Sequence, residues 1–563
     1  MERSLVNPDE TDTIRGYFVD VAAVIVAPQK ALEKRNSAIG LCITLFMVSF
    51  HIGIVPAIMP PLVRSLNSSV GYVQGALVLL SLVTAAFAPT SENLSRRFGR
   101  QKIFRGGLLL FAIGTLLASM SPAMGFFVAS YTLITGIAAT PLVSIPWALM
   151  DRFYEDKAEK IAFLLLTLSM VMGGLIGSLI GGLIAFEYSW RVAFPIELAL
   201  IPVILKLVNI YPPEPTAEQT PIDWVGGCLS FLGLGLTLLG LSLAGEFGWW
   251  AAKKDLAFLG VSTLPFGISI VPILIASGLV CLGIFAFWQR QQKRTGRAAL
   301  VSAGLLNRRA FVNSLVVATL HSALMTGLSF NLFQFVPPVL GLNSFQTALT
   351  VLPYNLAMVI VLIAMVRFIN LQLPPRRIVQ LGLSIEILGL FWLMRAIAPT
   401  MNRFTMLPAL IVIGIGSGFF TSQIGAIAYS TASRREKPEA TGIFNPLQKV
   451  GQALGRGVLG TVLISLASSQ VVDGVIAELD QAVDTTTRQA AITYLQRAIQ
   501  TFTKDEMQDL FARLPEAVQP SLAMIIETSS VSAMKVTLIL ILAANIACIL
   551  LTTRLPRLRL KRS

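Results

Sequence analysis

The chain is 563 residues long, 54% hydrophobic and only 13% charged, with a mean hydropathy of +0.72. Soluble domains carry about 25% charged residues, so this composition excludes a string of water-soluble domains and places most of the chain in lipid. The 44 Lys and Arg against 30 Asp and Glu leave a formal charge of +14. In a membrane chain that excess reads as basic loops fixing orientation, not as a nucleic-acid surface. The four cysteines sit in apolar runs without a CxxC pair or a Cys/His cluster, and there are two histidines, so neither a metal nor a cofactor is expected.

In chain order, residues 1–37 mix five basic and six acidic residues and form a polar tail, not a signal peptide. Within it Tyr17–Ala27 is apolar but too short to span, and reads as an interfacial helix. A bilayer core needs roughly 20 apolar residues as helix, and unpaired backbone is too costly in hydrocarbon for the alternatives. Fourteen runs qualify, spans 1 to 14, near 38–62, 70–90, 103–121, 125–149, 161–185, 192–210, 223–245, 267–288, 311–336, 346–368, 377–398, 404–430, 445–468 and 533–553. Residues 469–532 are polar, and Ala490–Phe502 and Asp505–Leu514 have the periodicity of short amphipathic helices. They form either a folded cap over the helix ends or a docking surface for a partner protein. With the N-terminus cytoplasmic, 32 of the 44 basic residues fall on the cytoplasmic side and ten on the other, Arg456 and Lys535 lying within spans. That bias predicts two cytoplasmic termini and an even number of spans; the expected location is a plasma (inner) membrane.

The connection after span 2 reads Glu92-Asn-Leu94-Ser-Arg96-Arg97-Phe-Gly99-Arg100-Gln-Lys102. Span 5 contains Gly173, Gly177, Ser178, Gly181 and Gly182, small residues at a spacing that clears one helix face for another backbone. Trp190-Arg191-x-x-Phe194 precedes span 6, Asp223-Trp224-x-Gly226 opens span 7, and Gly414-x-Gly416-x-Gly418 lies in span 12. Thr441-Gly442-Ile-Phe-Asn445 and Gly451-x-x-x-Gly455 open span 13. In this order the motifs resemble those of the major facilitator superfamily, in particular its 14-helix drug:proton antiporters of the QacA/EmrB type.

The span 2–3 loop is similar to that family's gating loop at Leu94, Arg97, Gly99 and Arg100, with Glu92 at the initial Gly and Arg96 at the acidic position. Glu92, one helical turn earlier, is then the candidate carboxylate of the latch. The span 5 glycines are similar to the family's exporter motif, with Ser178 where it has Pro. The resemblance implies an all-α integral membrane protein of 14 transmembrane helices. Two six-helix bundles, 38–210 and 311–553, would flank two inserted helices and a linker at 211–310, with a basic cytoplasmic tail at 554–563. The substrate site would lie near the midplane between the bundles.

Ionisable groups inside spans are costly in lipid and therefore candidates for function. His51 and His321 fall in the middle of spans 1 and 9, equivalent helices of the two bundles. His51 stands where the resemblance places an Asp, and an imidazole exchanges a proton near neutral pH. His51, His321 and Glu386 of span 11 are the candidate proton-coupling residues, the alternative for each His being a neutral interhelical hydrogen bond. Thr132 stands where the resemblance places an Arg in span 4, and Thr135 where it places a Gln. Arg456 lies too deep in span 13 to reach the interface and needs a carboxylate, backbone carbonyls or an anionic substrate; Glu386 is one candidate partner. Glu197 and Lys206 in span 6 read as structural or interfacial. Phe50, Thr132, Thr135, Asn331, Gln334, Asn355, Gln423 and Asn445 join Arg456 as candidate lining of the substrate path.

The expected function is export of amphipathic drugs or related small molecules by alternating access, coupled to proton influx. Two alternatives stay open. One is a dedicated metabolite or siderophore exporter with altered or no proton coupling; the other is a non-transporting scaffold that docks a partner through 469–532. No HExxH or nucleophile–base arrangement appears, so an enzyme is not expected. The expected partners are the small-molecule substrate, protons, the lipid bilayer and, if the envelope is double, a periplasmic adaptor protein.

Overall fold

A computed structural model describes residues 29–555 except 69, 155, 209–222, 248–249, 251–268, 296–304, 306, 343, 368–373, 400, 433–436, 481–482, 502–503 and 516–517. The stretch Tyr17–Ala27 and most of the basic C-terminal tail lie outside the described residues. The described elements are all helices. In order they are α1 (Gln29–Ser65), α2 (Val70–Phe98), α3 (Arg100–Ser119), α4 (124–153), α5 (Asp156–Glu187), α6 (190–208), α7 (Trp224–Phe247) and α8 (Ile270–Arg294). They continue with α9 (Arg309–Leu340), α10 (Ser344–Arg367), α11 (Pro375–Ala396), α12 (Leu407–Ser430), α13 (Lys437–Leu479), α14 (Thr485–Thr501), α15 (Lys504–Ala512) and α16 (Gln519–Thr552).

The fourteen predicted spans thus correspond to fourteen helical stretches, α1–α13 and α16. Twelve of them are long and apolar enough, among the described residues, to cross a bilayer. The other two fall short for visible reasons. The apolar part of α2 is limited to Gly75–Ala88, because its last turns carry the charged loop motif. α6 is broken into Trp190–Ala193, a 3₁₀ turn at Pro195–Ala199 and Leu200–Val208, as expected where proline removes a helical N–H.

Two extended cores divide the helices. Leu41 to Val208 supply one group of buried apolar residues, and Leu305 to Leu555 supply the other. The same device repeats in both. A Cβ on Gly173 or Gly177 of α5 would collide with the Phe46 or Phe50 carbonyl of α1, and one on Gly181 would come within 3.1 Å of Ile54. Likewise a Cβ on Gly451 or Gly455 of α13 would collide with the Thr319 or Ala323 carbonyl of α9. First and fifth helices of each set therefore touch backbone to backbone, the geometry that small residues at this spacing permit. α7 and α8 pack together as a hairpin. Asp223 joins them, capping α7 through the Gly226 N–H (2.8 Å) and accepting from Trp288 Nε1 (2.9 Å) and Gln289 Nε2 (2.8 Å) of α8.

The 469–532 region is shorter as a loop than its polarity predicts. α13 continues past its hydrophobic section to Leu479 and α16 begins at Gln519, because each keeps an apolar stripe outside the core of the spans. Val471, Val472 and Ile476 of α13 pack on Ile492 and Leu495 of α14, Phe511 of α15, and Ile525 and Ile526 of α16. Exposed Arg488 forks onto Asp473 (2.6 and 2.8 Å). Asp484 caps α14, and the Thr487 hydroxyl and N–H hold its carboxyl below the usual carboxylate range.

Candidate functional site

Each set of helices encloses one histidine–glutamate pair. In the first, His51 Nδ1 of α1 lies 2.5 Å from Glu197 Oε1 of α6, and both residues are 1% exposed. Thr115 of α3 donates to the same oxygen at 3.4 Å. The imidazole stacks on Tyr131 of α4 (4.9 Å between centroids, 19° between planes) and is flanked by Phe111 and Phe194. In the second, His321 Nε2 of α9 lies 2.8 Å from Glu386 Oε1 of α11. Ser417 of α12 donates to that oxygen at 2.6 Å and Asn545 of α16 to the other at 2.8 Å. The ring stacks on Phe420 of α12 at 3.6 Å. First, third, fourth and sixth helices thus contribute matching positions in both sets, with the glutamate exchanged. It comes from the sixth helix in the first set and from the third in the second.

The exchange changes the chemistry. Glu386 has hydrogen bonds at both oxygens, whereas Glu197 Oε2 and His51 Nε2 are buried without a partner. A His–Glu pair holding one proton between its members has no net charge. Adding or removing a proton leaves a charge that a low-dielectric interior penalises. The first pair has vacant positions where that proton can come or go without breaking a bond already made.

Local sequence explains how these groups arrive. Pro195 opens the 3₁₀ turn that carries Glu197 inward. The preceding Trp190-Arg191 pins the start of α6 to two neighbours: Trp190 Nε1 donates to Ser65 Oγ (2.6 Å), and Arg191 Nη2 to the Ser121 carbonyl (2.8 Å). Tyr131 sits in a π-helical segment, Ala129–Ile134, an irregularity frequent at functional sites. Its hydroxyl is buried and unpartnered.

The predicted site residues distribute as follows. His51 and His321 do not face each other; each is enclosed in its own set of helices. Glu386 is engaged by His321 and not by Arg456, which makes no hydrogen bond or ion pair among the described residues. Thr132 and Thr135 are buried and donate to the Val128 and Ser130 carbonyls of their own helix (2.6 and 3.1 Å). Asn331 donates to the Leu459 carbonyl at 3.2 Å, tying α9 to α13. Phe50 stacks on Phe46 (5.9 Å), and Gln334, Asn355, Gln423 and Asn445 are half-buried. In the span 2–3 loop, Arg100 Nη2 lies 3.5 Å from Glu92 Oε1, Arg97 is exposed, and Gly99 has φ +88°. The Arg96 side chain lies outside the described residues. Ser178 donates back to the Leu175 carbonyl (2.8 Å), and Gly182 is half-buried beside Gly181.

At the end that carries the span 2–3 loop, Phe163 of α5 stacks on Tyr429 of α12 at 5.7 Å across the seam. Trp147 continues the stack behind Phe163, and Phe444 meets Tyr429 edge-on.

Sequence reasoning reads Glu197 as structural or interfacial and misses Thr115, Tyr131, Ser417 and Asn545. Glu197 carried a usable signal, an acid inside an apolar run; the others look like ordinary span residues. The loop charge count takes Lys449 with the span 12–13 connection, whereas α13 carries it twelve residues past Lys437, its first residue.

A family model for the Major Facilitator Superfamily matches residues 41–456. The chain is 25% identical over 446 residues to a probable actinorhodin transporter of Streptomyces coelicolor, covering 78% of this chain and 74% of that protein. It is 22% identical to the multidrug export protein EmrB of Escherichia coli K12 (77% and 81% covered). It is 23% identical to the cephamycin export protein CmcT of Amycolatopsis lactamdurans (75% and 83% covered). Among solved structures, the human organic anion transporter MFSD10 superposes with a TM-score of 0.54 at 14% identity, covering 84% of this chain and 98% of that one. A bacterial homologue of the human lysosomal transporter Spinster does so at 0.51 and 14%, covering 92% and 96%. With its helical membrane fold and a family match over most of its length, this chain belongs to the Major Facilitator Superfamily, a multi-pass integral membrane transporter and not an enzyme.

Proposed function

We propose that the chain exports amphipathic small molecules by alternating access, with the His51–Glu197 pair exchanging the coupling proton. The observation that supports this most directly is the pair of vacant positions at His51 Nε2 and Glu197 Oε2 inside an otherwise satisfied polar cluster. A proton added there charges the cluster, so the two protonation states favour different degrees of solvent access, which is what coupling requires. The three curated relatives are named as transport or export proteins for antibiotics or multiple drugs, which supports the outward direction.

In this reading residues 38–210 and 311–553 are the two bundles that rock about the seam, with 211–310 beside them. Both termini lie on the cytoplasmic side of a plasma (inner) membrane, as the basic loops favour. The Phe163–Tyr429 contact then closes the cytoplasmic end, with Glu92–Arg100 reinforcing the adjacent loop. In a double envelope the helical cap at 469–532 would meet a periplasmic adaptor.

The test is transport in proteoliposomes with an imposed pH gradient. Substrate should accumulate against its own gradient, and an uncoupler should abolish accumulation while leaving exchange intact. Equilibration without accumulation, unchanged by the uncoupler, would instead favour the uncoupled metabolite exporter. A panel containing single antibiotics and unrelated drugs decides breadth, since the relatives' names divide between those two kinds.

A further inference from the structure

The charges inside the helices do not balance. Away from helix ends, the described ionisable residues of the spans include His51, Glu197, His321, Glu386, Lys449, Arg456 and, in α16, Lys535, which is set apart because it lies two residues from the start of span 14. The first four form two pairs that are neutral when each holds one proton. Lys449 and Arg456 remain, with no carboxylate among the described residues. Among the described residues Arg456 makes no hydrogen bond, and the one bond of Lys449 runs to neutral Gln452 Oε1 on its own helix (3.4 Å). Both side chains are half-buried, and a charge drawn even partly out of water without a counter-charge is costly. The economical reason to carry two such cations is a counter-charge that arrives and leaves.

Their placement points to the same conclusion. Lys449, Gln452 and Arg456 are spaced i, i+3 and i+7, so they form one stripe along α13, roughly 10 Å long. Ala453, on that stripe, packs against Leu82 and Val83 of α2, with Ile137 of α4 beside them. The stripe therefore lies on the seam between the two helix sets. Arg456 lies within electrostatic range of Tyr131 of α4, whose neutral hydroxyl is a buried donor without a partner among the described residues. Two cations, an amide and an orphan hydroxyl converge where apolar side chains of both sets meet.

We propose that this stripe is the substrate site and that the substrate is an amphipathic organic anion, a carboxylate or phenolate on an apolar body. The Arg456 guanidinium grips the anion through its planar fork. Lys449 adds the second charge, Tyr131 donates its hydroxyl, and the apolar body rests on Leu82, Val83 and Ile137. Because Tyr131 stacks on His51, an anion there also touches the wall of the proton-exchanging pair. The proposal rests on the export reading for its direction of transport, but not for binding.

The test is equilibrium binding of three probes of one shape to the purified full-length protein in lipid nanodiscs: 2-naphthoate, neutral 2-naphthamide and cationic 2-naphthyltrimethylammonium. The carboxylate should bind about tenfold or more tighter than the amide, as expected of charged hydrogen bonds. Arg456→Gln and Lys449→Gln should each erase most of that preference, with an unchanged size-exclusion profile and melting temperature certifying the fold. Arg456→Lys should restore part of it. Equal binding of amide or ammonium, failure of the carboxylate to bind, or a carboxylate preference that survives Arg456→Gln would overturn the site. Carboxylate binding without gradient-driven transport would leave the site standing and count against the export reading alone.

Discussion

Glu197→Gln separates coupling from folding more sharply than any other single change. Glutamine keeps an acceptor for the His51 ring at 2.5 Å and for Thr115 at 3.4 Å, and replaces an unpartnered oxygen by an amide nitrogen. One lost charge-assisted bond should cost about 1–3 kcal/mol, less than the several kcal/mol of truncating a buried pair. The variant should therefore insert and exchange substrate. What it cannot do is carry the ionisable carboxyl. With one proton moved per substrate, a gradient of two pH units supplies about 2.7 kcal/mol, or roughly hundredfold accumulation. In proteoliposomes the wild type should approach that ratio for a neutral substrate, and Glu197→Gln should settle near one while retaining counterflow. The matching change in the second set should behave differently. Glu386→Gln puts an amide NH₂ either against Asn545 Nδ2 or against Ser417 Oγ and the His321 ring, so it should lower melting temperature and yield before it alters coupling. Full accumulation by Glu197→Gln, or loss of coupling in a stable Glu386→Gln, would refute the assignment of roles.

Three further outcomes follow from local geometry. Gly177→Val drives a branched side chain into the Phe50 carbonyl of α1; overpacking of this kind costs about 1–3 kcal/mol or more, read as reduced yield of folded protein on size exclusion. Gly99→Ala places a Cβ on a residue at φ +88°, a strain of about 1–3 kcal/mol that should appear as a lower melting temperature, although open space surrounds the site. The Asp484 cap is pH-sensitive in a defined direction. Its carboxyl is depressed in the fold, so the cap is fully present above the unfolded value of about 4 and is lost as pH falls through the lower folded one. Amide exchange at Thr487, corrected for intrinsic rate, should be constant from neutrality to that point and rise below it, and Asp484→Asn should remove the dependence.

What the sequence revealed and what it hid follow from the range of the forces involved. Spans are local: twenty apolar residues announce themselves, and the glycines of α5 and α13 advertise a close neighbour without naming it. The neighbour becomes explicit only with α1 and α9 in place. His51 and His321 stood out because lipid penalises them wherever they point. Which acid each one meets did not, since Glu197 is 146 residues from His51 and reaches it through a turn made by Pro195. Glu386 was weighed against Arg456 by depth alone, a coordinate that cannot distinguish which face of α11 looks toward α9. Lys449 falls at the margin of span 13 because hydropathy declines before the helix ends; α13 begins at Lys437.

The ring contact between Phe163 and Tyr429 bears on how the resting molecules are distributed. One stacked pair contributes about 0.5–1.5 kcal/mol beyond its buried area, a weighting of roughly two- to tenfold between two arrangements. So slight a preference acts as a bias on a fluctuating ensemble, not as a lock. Substituting either ring should redistribute the unliganded population and shift apparent affinity by the same small factor, while turnover at saturating substrate continues.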